Sequence, residues 1–309
     1  MKTTLWIKGC NGLGNRLLVL EQALRLAAKY SARAYIDWSD DVFTLSLTKF
    51  HQYFKIVNVT EVNRPDYLQF QTPYPECRKL FETSDLFALG TFQPFFARIP
   101  ISVALWRKVR RFKHRFRLHN RISTLCLNAD AIESKISEGQ NDLIGVVSEL
   151  PLKEPELFRH IQLNAKEIEK LAKKYKVNSQ VFDVAIHVRD TDKTSPQRES
   201  LHKIIDELAS QGKPQKIYLA TDNKIVINEL TEKYGESFDF TFLDFERNGA
   251  PLHLNRNDAE KKIVFESAII DLYHLASAKT ILFQENSSFS RVAIALSSPN
   301  SIRIAWSTV

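Results

Sequence analysis

The chain has 309 residues, enough for two ordinary domains or one large one, and its 44% apolar content is that of a folded protein. A net charge of +7 suits anionic small molecules or an anionic membrane surface and is too small by itself to argue for nucleic acid. Cys10, Cys77 and Cys126 have neither metal nor disulfide spacing, no apolar run is long enough to span a bilayer, and the first residues carry no signal-peptide pattern; the expected location is cytoplasmic.

In chain order, Thr4–Lys8 reads as a first strand, and Asn15–Tyr30 has a helical apolar stripe of Leu17, Leu18, Leu20, Leu24, Leu26 and Ala27. Gly9, Gly12 and Gly14 lie between them. A glycine-rich turn that feeds a helix lets backbone N–H groups and the positive helix end approach an anion. The spacing departs from a dinucleotide fingerprint, because Leu17 stands where the third glycine belongs. A tight turn needing positive φ accounts for most of these glycines. It does not account for Asn15 and Arg16 in the first helical turn, where a cation opposes the helix dipole. Arg16 is therefore a candidate ligand contact, the alternative being an exposed structural arginine. Ala32–Trp38 is the next strand. The acids of Asp37–Asp41 either bind a metal or a sugar hydroxyl or serve as turns and caps. Short strands are expected at Phe54–Val59 and Tyr67–Gln71.

Trp106–Arg117 interleaves seven cations with Trp106, Val109, Phe112 and Phe116 at helical spacing. Such a helix lies on an anionic membrane surface, or packs its apolar face in a core with its arginines solvated. Ala129–Ser137 and Glu154–Tyr175 are expected helices, and Lys176–Ser179 is a candidate linker. The expected domains are 1–178 and 179–309.

The second half opens with a βαβ pattern: a β-branched run at Val184–Val188, a helix over Leu201–Ser210 and a second run at Lys216–Ala220. This arrangement implies a parallel sheet with ligands at the carboxyl ends of its strands. Those ends deliver His187, Arg189, Asp190, Asp192 and Lys193 from one strand and Thr221, Asp222 and Asn223 from the other. Asp239–Asp244 is a further strand, Ile263–Ala276 a helix, Thr280–Phe283 a strand and Phe289–Ser297 a helix; Ile302–Trp306 is a last strand or a packed tail. Ser287 and Ser288 before that last helix are N-cap residues, and the same hydroxyls and free N–H groups suit a phosphate.

Three stretches together resemble the inverting GDP-fucose-dependent fucosyltransferases, the superfamily of the Nod-factor and core α1,6 enzymes and the protein O-fucosyltransferases. They are the turn Gly12–Arg16, the run Ile186–Lys193 (close to H-x-R-x-T-D-K) and the block Ala268–Arg291. The resemblance implies an α/β, GT-B-like fold: two Rossmann-like domains facing a central cleft, with an acceptor-side N-terminal domain and a nucleotide-sugar-binding C-terminal one. It implies that Arg189 is the catalytic group on the β-phosphate of GDP. His187 and Asp271 would hold the nucleoside, Ser287 and Ser288 the phosphate, and Asp222 would line the pocket, with Asn15 and Arg16 across the cleft. It implies fucose transfer from GDP-fucose to a glycan or lipid-linked hydroxyl with inversion, with no cofactor and no metal. Where some relatives carry a glutamate after the central motif, this chain has Gln197; Glu199, Asp192 and Asp37 are alternatives for the general base. Two competing readings remain. Asp190-Thr191-Asp192 is formally a D-x-D metal site of another nucleotide-sugar transferase. A non-catalytic nucleotide- or glycan-binding protein would explain Gln197.

Overall fold

The computed structural model describes residues 4–7, 12–36, 50, 52–58, 122–126, 133–134, 136–137, 143–146, 157–177, 181–190, 198–212, 215–244 and 258–306. The expected strand Tyr67–Gln71, the acids Asp37–Asp41 and the basic segment Trp106–Arg117 lie outside these residues. The chain divides into two compact units, the first drawn mainly from residues up to Ile161 and the second from Gln162 onward.

The first unit contains Thr4–Ile7 (β1), Leu13–Lys29 (α1), Arg33–Ile36 (β2), Ile122–Cys126 (β4) and Leu143–Val146 (β5). Phe54–Ile56 (β3) and Ile161–Leu163 (β6) pair where the chain passes from one unit to the next. The four-stranded sheet has the order β2-β1-β5-β4, and every pairing in it is parallel. α1 is buried on more than one stripe, including Arg16, Glu21 and Gln22. A carboxylate tolerates burial only when hydrogen-bonded donors surround it. Glu21 meets that condition: its oxygens accept the backbone N–H of Arg159 at 2.9 Å, of His160 at 3.0 Å and of Ile161 at 3.2 Å, and Arg25 Nε at 2.9 Å. Burial alone would push this carboxyl up. His160 and the surrounding N–H groups outweigh it and hold the group below the usual glutamate range.

The Glu21 clamp also explains a departure from expectation. Within the expected helix Glu154–Tyr175, the described residues 157–175 are not one helix but a bend, the strand β6 and a shorter helix, Ala165–Lys174 (α2). The N–H groups of residues 159–161 find their acceptor on α1, far away in sequence, so this stretch is extended. α2 belongs with the second unit: Lys174 and Tyr175 bond Glu266 at 2.8 and 2.7 Å, and Tyr273 bonds Glu169 at 2.8 Å. The second unit thus begins before the expected boundary at residue 178.

The rest of the second unit is Val184–Val188 (β7), Glu199–Ser210 (α3), Gln215–Thr221 (β8), Lys224–Tyr234 (α4), Phe238–Phe242 (β9), Asp258–Ser277 (α5), Thr280–Gln284 (β10), Ser288–Leu296 (α6) and Ile302–Trp306 (β11). Its sheet has the order β11-β10-β7-β8-β9 and is parallel throughout. Connections run outward from β7 to β8 and β9 on one side, and through β10 to β11 on the other. This is a doubly wound sheet whose switch point falls between β7 and β10. β7 is buried at all five residues, as a central strand covered on both faces must be. Val184, Ile186 and Val188 join Leu201, Ile205, Val226 and Leu230 of α3 and α4 in one core. Ala185 and His187 turn to the opposite face, where α5 and α6 lie. α3 ends at Gly212, whose φ of +66° is the left-handed stop that favours glycine.

Candidate functional site

The switch point is built by an early end to strand pairing. β7 and β10 stay in register only to Ile186↔Leu282, whereas β7 continues against β8 to Val188↔Thr221 and β10 against β11 to Gln284↔Trp306. Past Ile186 and Leu282 the two strands therefore separate, and side chains replace the missing ladder. On the α6 face, His187 Nδ1 lies 2.7 Å from Ser290 Oγ, and its ring is tilted on Phe289 at 5.1 Å. On the α3 face, Gln284 Oε1 accepts the backbone N–H of Arg189 at 2.8 Å.

Beyond Arg189 the chain is held to the end of β8. Asp190 N–H donates to Asp222 Oδ1 at 2.8 Å, and Asn223 Nδ2 donates to Asp190 Oδ2 at 2.8 Å. Asn223 also caps α4 by accepting from Ile225 N–H. Arg198 Nη1 stands 3.3 Å from Asp190 Oδ2, and Arg198 Nη2 bonds Glu229 at 2.6 Å; Glu229 in turn meets His202 at 2.8 Å. The two ends of the β7–α3 connection, Asp190 and Arg198, are thus pinned to each other and to α4.

Ser287 is the N-cap of α6 and accepts from Ser290 N–H at 3.4 Å, so the capping role expected of it is present. Ser287 is buried and Ser288 half-buried at the same helix start. Asp271 is buried on α5 and accepts from Tyr218 Oη at 2.7 Å. One turn of sequence away, His274 packs on Tyr218 (4.5 Å), Phe182 (5.1 Å) and Tyr273 (5.3 Å). Among the described residues neither nitrogen of His274 has a hydrogen-bond partner, and burial lowers its pKa to about 4. It is a neutral core ring.

Of the first-unit candidates, Asn15 is half-buried in the first turn of α1 and Arg16 is 1% exposed, which removes the exposed-arginine alternative. Gly12 caps α1 with φ −65° and ψ 171°, ordinary extended backbone, so the positive φ expected of this turn is not found at that residue. A Cβ at Gly12 would meet nothing within 4 Å. Among the described residues, neither conformation nor packing demands this glycine. Thr191, Asp192, Lys193 and Gln197 lie outside the described residues, and with them half of the D-x-D candidate. Among the described residues no cluster of three or more His, Cys, Asp or Glu could hold a metal, and no helix is long and apolar enough to cross a membrane. Sequence reasoning passed over Gln284 and Ser290. Ser290 carried a signal in retrospect, three residues after the capping serine. Gln284 carried none beyond being a polar residue at a strand end.

A doubly wound parallel sheet with a histidine, an arginine and a serine-capped helix at its switch point defines the class: an α/β protein with a Rossmann-like second sheet. No family model and no curated protein matches the sequence. Solved structures fix the fold more narrowly. The chain is similar to NodZ α1,6-fucosyltransferase soaked with GDP-fucose (TM-score 0.53, 19% identity, 96% of this chain and 93% of that one); NodZ structures from Bradyrhizobium are among the matches. It is similar to a point mutant of Arabidopsis thaliana FUT1 in complex with GDP (TM-score 0.57, 12% identity, 99% and 70%). It is similar to POFUT1 in complex with GDP-fucose (TM-score 0.51, 12% identity, 99% and 98%). The fold is that of the fucosyltransferases, over nearly the whole chain.

Proposed function

We propose that the chain is a glycosyltransferase that moves fucose from GDP-fucose to a hydroxyl of a glycan or glycolipid, with inversion and without a bound metal. The observation that carries the proposal is the meeting of His187, Arg189 and the α6 helix start at the switch point of a sheet with the fold of enzymes crystallised with GDP and GDP-fucose. On this reading the second unit binds the donor and the first faces the acceptor across a GT-B-like cleft, with Asn15 and Arg16 contributing from its side. Gly12, which leaves open space at the start of α1, supports a ligand approaching that turn.

The chemistry follows from charge. The acceptor oxygen attacks the anomeric carbon from the face opposite the departing GDP. The bond from that carbon to the β-phosphate oxygen breaks, and its electron pair stays on the phosphate. Arg189 stabilises this growing charge with two parallel N–H donors, a geometry that lysine lacks. The interaction strengthens as the bond breaks, so it favours the transition state over the ground state. The α6 N-terminus, with Ser287 and Ser288, adds donors for the same phosphate. Asp222 and Asp271 complete the donor pocket. The acceptor proton must pass to a base; Glu199 is exposed in the first turn of α3, a position that also suits the helix dipole, and the base is left unassigned. Trp106–Arg117 fits contact with an anionic membrane surface, consistent with a peripheral cytoplasmic enzyme acting on a lipid-linked acceptor; absence of co-flotation with anionic liposomes at low salt would count against it.

The test is thermal unfolding with GDP, GDP-fucose and UDP, each with and without EDTA, on wild type and Arg189→Ala. A ligand at about 100 times its Kd adds roughly 2.7 kcal/mol to the native state. The expected result is a rise in Tm of several degrees with both guanine nucleotides, unchanged by EDTA and lost in Arg189→Ala. A shift that needs metal or favours UDP points to a different transferase. Binding of GDP-fucose with no hydrolysis or transfer in any acceptor mixture points to a non-catalytic binder.

A further inference from the structure

We propose that Gln284 is a positioning residue for Arg189: its side-chain carbonyl stands in for the β-ladder where β7 and β10 part, and so fixes the backbone that presents the guanidinium to the donor phosphate. The inference rests on the donor-site reading above and goes beyond it.

Four observations converge. Pairing of β7 with β10 ends at Ile186↔Leu282, so the ladder between these strands does not extend to Arg189. Gln284 is the last residue of β10, is 0% exposed, and its Oε1 accepts that N–H at 2.8 Å. The donor fixes the orientation of the carboxamide, because only its oxygen can face an N–H. Its Nε2 is then left buried without a partner among the described residues. A buried donor without a partner is a cost that an apolar side chain of the same length would avoid. Leu282 and Trp306 line the same face of the sheet and join its apolar core, so the surroundings would accept such a side chain. A polar side chain at this apolar position is accounted for by the bond its oxygen makes to Arg189.

A second tie holds the same strand end. His187 and Ser290 tie β7 to α6 on the opposite face of the sheet. The residue between the two tied positions is Val188, and the next is Arg189. Anchored from both faces, the start of the β7–α3 connection has one backbone course, and the guanidinium starts from a fixed point. A side chain on an unanchored turn would lose entropy on meeting a phosphate; one on an anchored turn has lost it in folding.

The experiment is a binding cycle by calorimetry with GDP and GMP on wild type, Gln284→Met, Gln284→Asn, Arg189→Ala and the double variant Gln284→Met with Arg189→Ala. Methionine keeps length and volume and removes the acceptor; asparagine keeps the amide and cannot reach. Either one suffices if the other fails to fold. The expected result is a loss of about tenfold in GDP affinity for each glutamine variant, little change with GMP, and no further loss in the double variant beyond Arg189→Ala. Full GDP affinity in folded Gln284→Met, alongside a large loss in Arg189→Ala, overturns the positioning role and leaves the donor site intact. Equal losses for GDP and GMP, or losses that add in the double variant, assign Gln284 to general packing and also overturn it. GDP affinity that survives Arg189→Ala overturns the donor-site reading, and this inference with it.

Discussion

One face of the second sheet carries two buried histidines, and they do opposite things. His187 sits at the carboxyl end of β7, where strand pairing has stopped, and its ring nitrogen meets a serine hydroxyl on α6. His274 sits on α5 against Tyr218 and Phe182, with both nitrogens unpartnered among the described residues. The contrast separates the proposed donor site from the core. At the strand end polar groups are paired and placed; over the body of the sheet the same residue type serves as an aromatic disc, held neutral by burial. On the proposed reading, residue type alone does not mark function in this fold, and position along the strand does.

The largest expected effect breaks the comparison at its strongest point. On the proposed donor-site reading, Arg189→Ala is expected to lower GDP affinity and transfer by roughly a hundredfold or more, since it removes the charge-assisted bidentate contact to phosphate and leaves only the neutral donors of the α6 start. His274→Phe is expected to leave both unchanged. Calorimetry with GDP and a coupled assay for GDP release read the two variants side by side. Loss of binding in His274→Phe with intact Arg189→Ala would reverse the assignment of site and core.

A second contrast sets His274 against Glu21, a buried charge in the first unit. Glu21 remains ionised because backbone N–H groups and Arg25 surround it, and its carboxyl is held below the usual range. A depressed carboxylate contributes stability that is present above the unfolded value of 4.5 and lost as pH falls through the folded value. Glu21→Gln leaves several buried donors short of an acceptor and is expected to cost roughly 2–4 kcal/mol near neutral pH. Urea unfolding at pH 7 and pH 4 checks both the size and its decline in acid. A variant as stable as wild type at pH 7 would show the clamp to be dispensable.

His274 has the same sign from a different cause. Its folded value of about 4 lies below the ordinary histidine value of 6.5, so the unfolded chain takes up the proton first. Stability is complete above about pH 6.5 and falls as pH drops toward 4, by on the order of 2 kcal/mol at pH 5. His274→Phe is expected to flatten this part of the stability profile. A profile with the wild-type slope would move the titration elsewhere.

These contrasts also mark what could be seen from sequence. The β7–α3–β8 unit, α1, β10 and α6 announce themselves by period, because each buries one stripe or a short apolar run. His187 and Arg189 follow from them as strand-end residues. α4 went unassigned: Ile225, Val226 and Ile227 run together like a strand, yet Ile225 is 66% exposed and the helix is started by the Asn223 cap. β6 was hidden inside an apparent helix because its N–H partners come from Glu21, beyond any local window. Gln284 was hidden for the same reason. Its role exists only because two strands part beside it, and parting is a property of the sheet.

The smallest effect tests the residue that stands between site and core. Asp271 is expected from the family resemblance to hold the guanine, yet it accepts from Tyr218, which itself stacks on His274. If Asp271 serves the base, Tyr218 positions its carboxylate. Tyr218→Phe then removes one buried hydrogen bond, costs about 1 kcal/mol of stability and lowers the preference for GDP over UDP by a few fold. The selectivity is the informative quantity, because a bond that only packs α5 on the sheet would move stability alone. An unchanged GDP-to-UDP ratio, with the expected fall in stability, would place Asp271 with His274 in the core and leave base recognition to the strand ends.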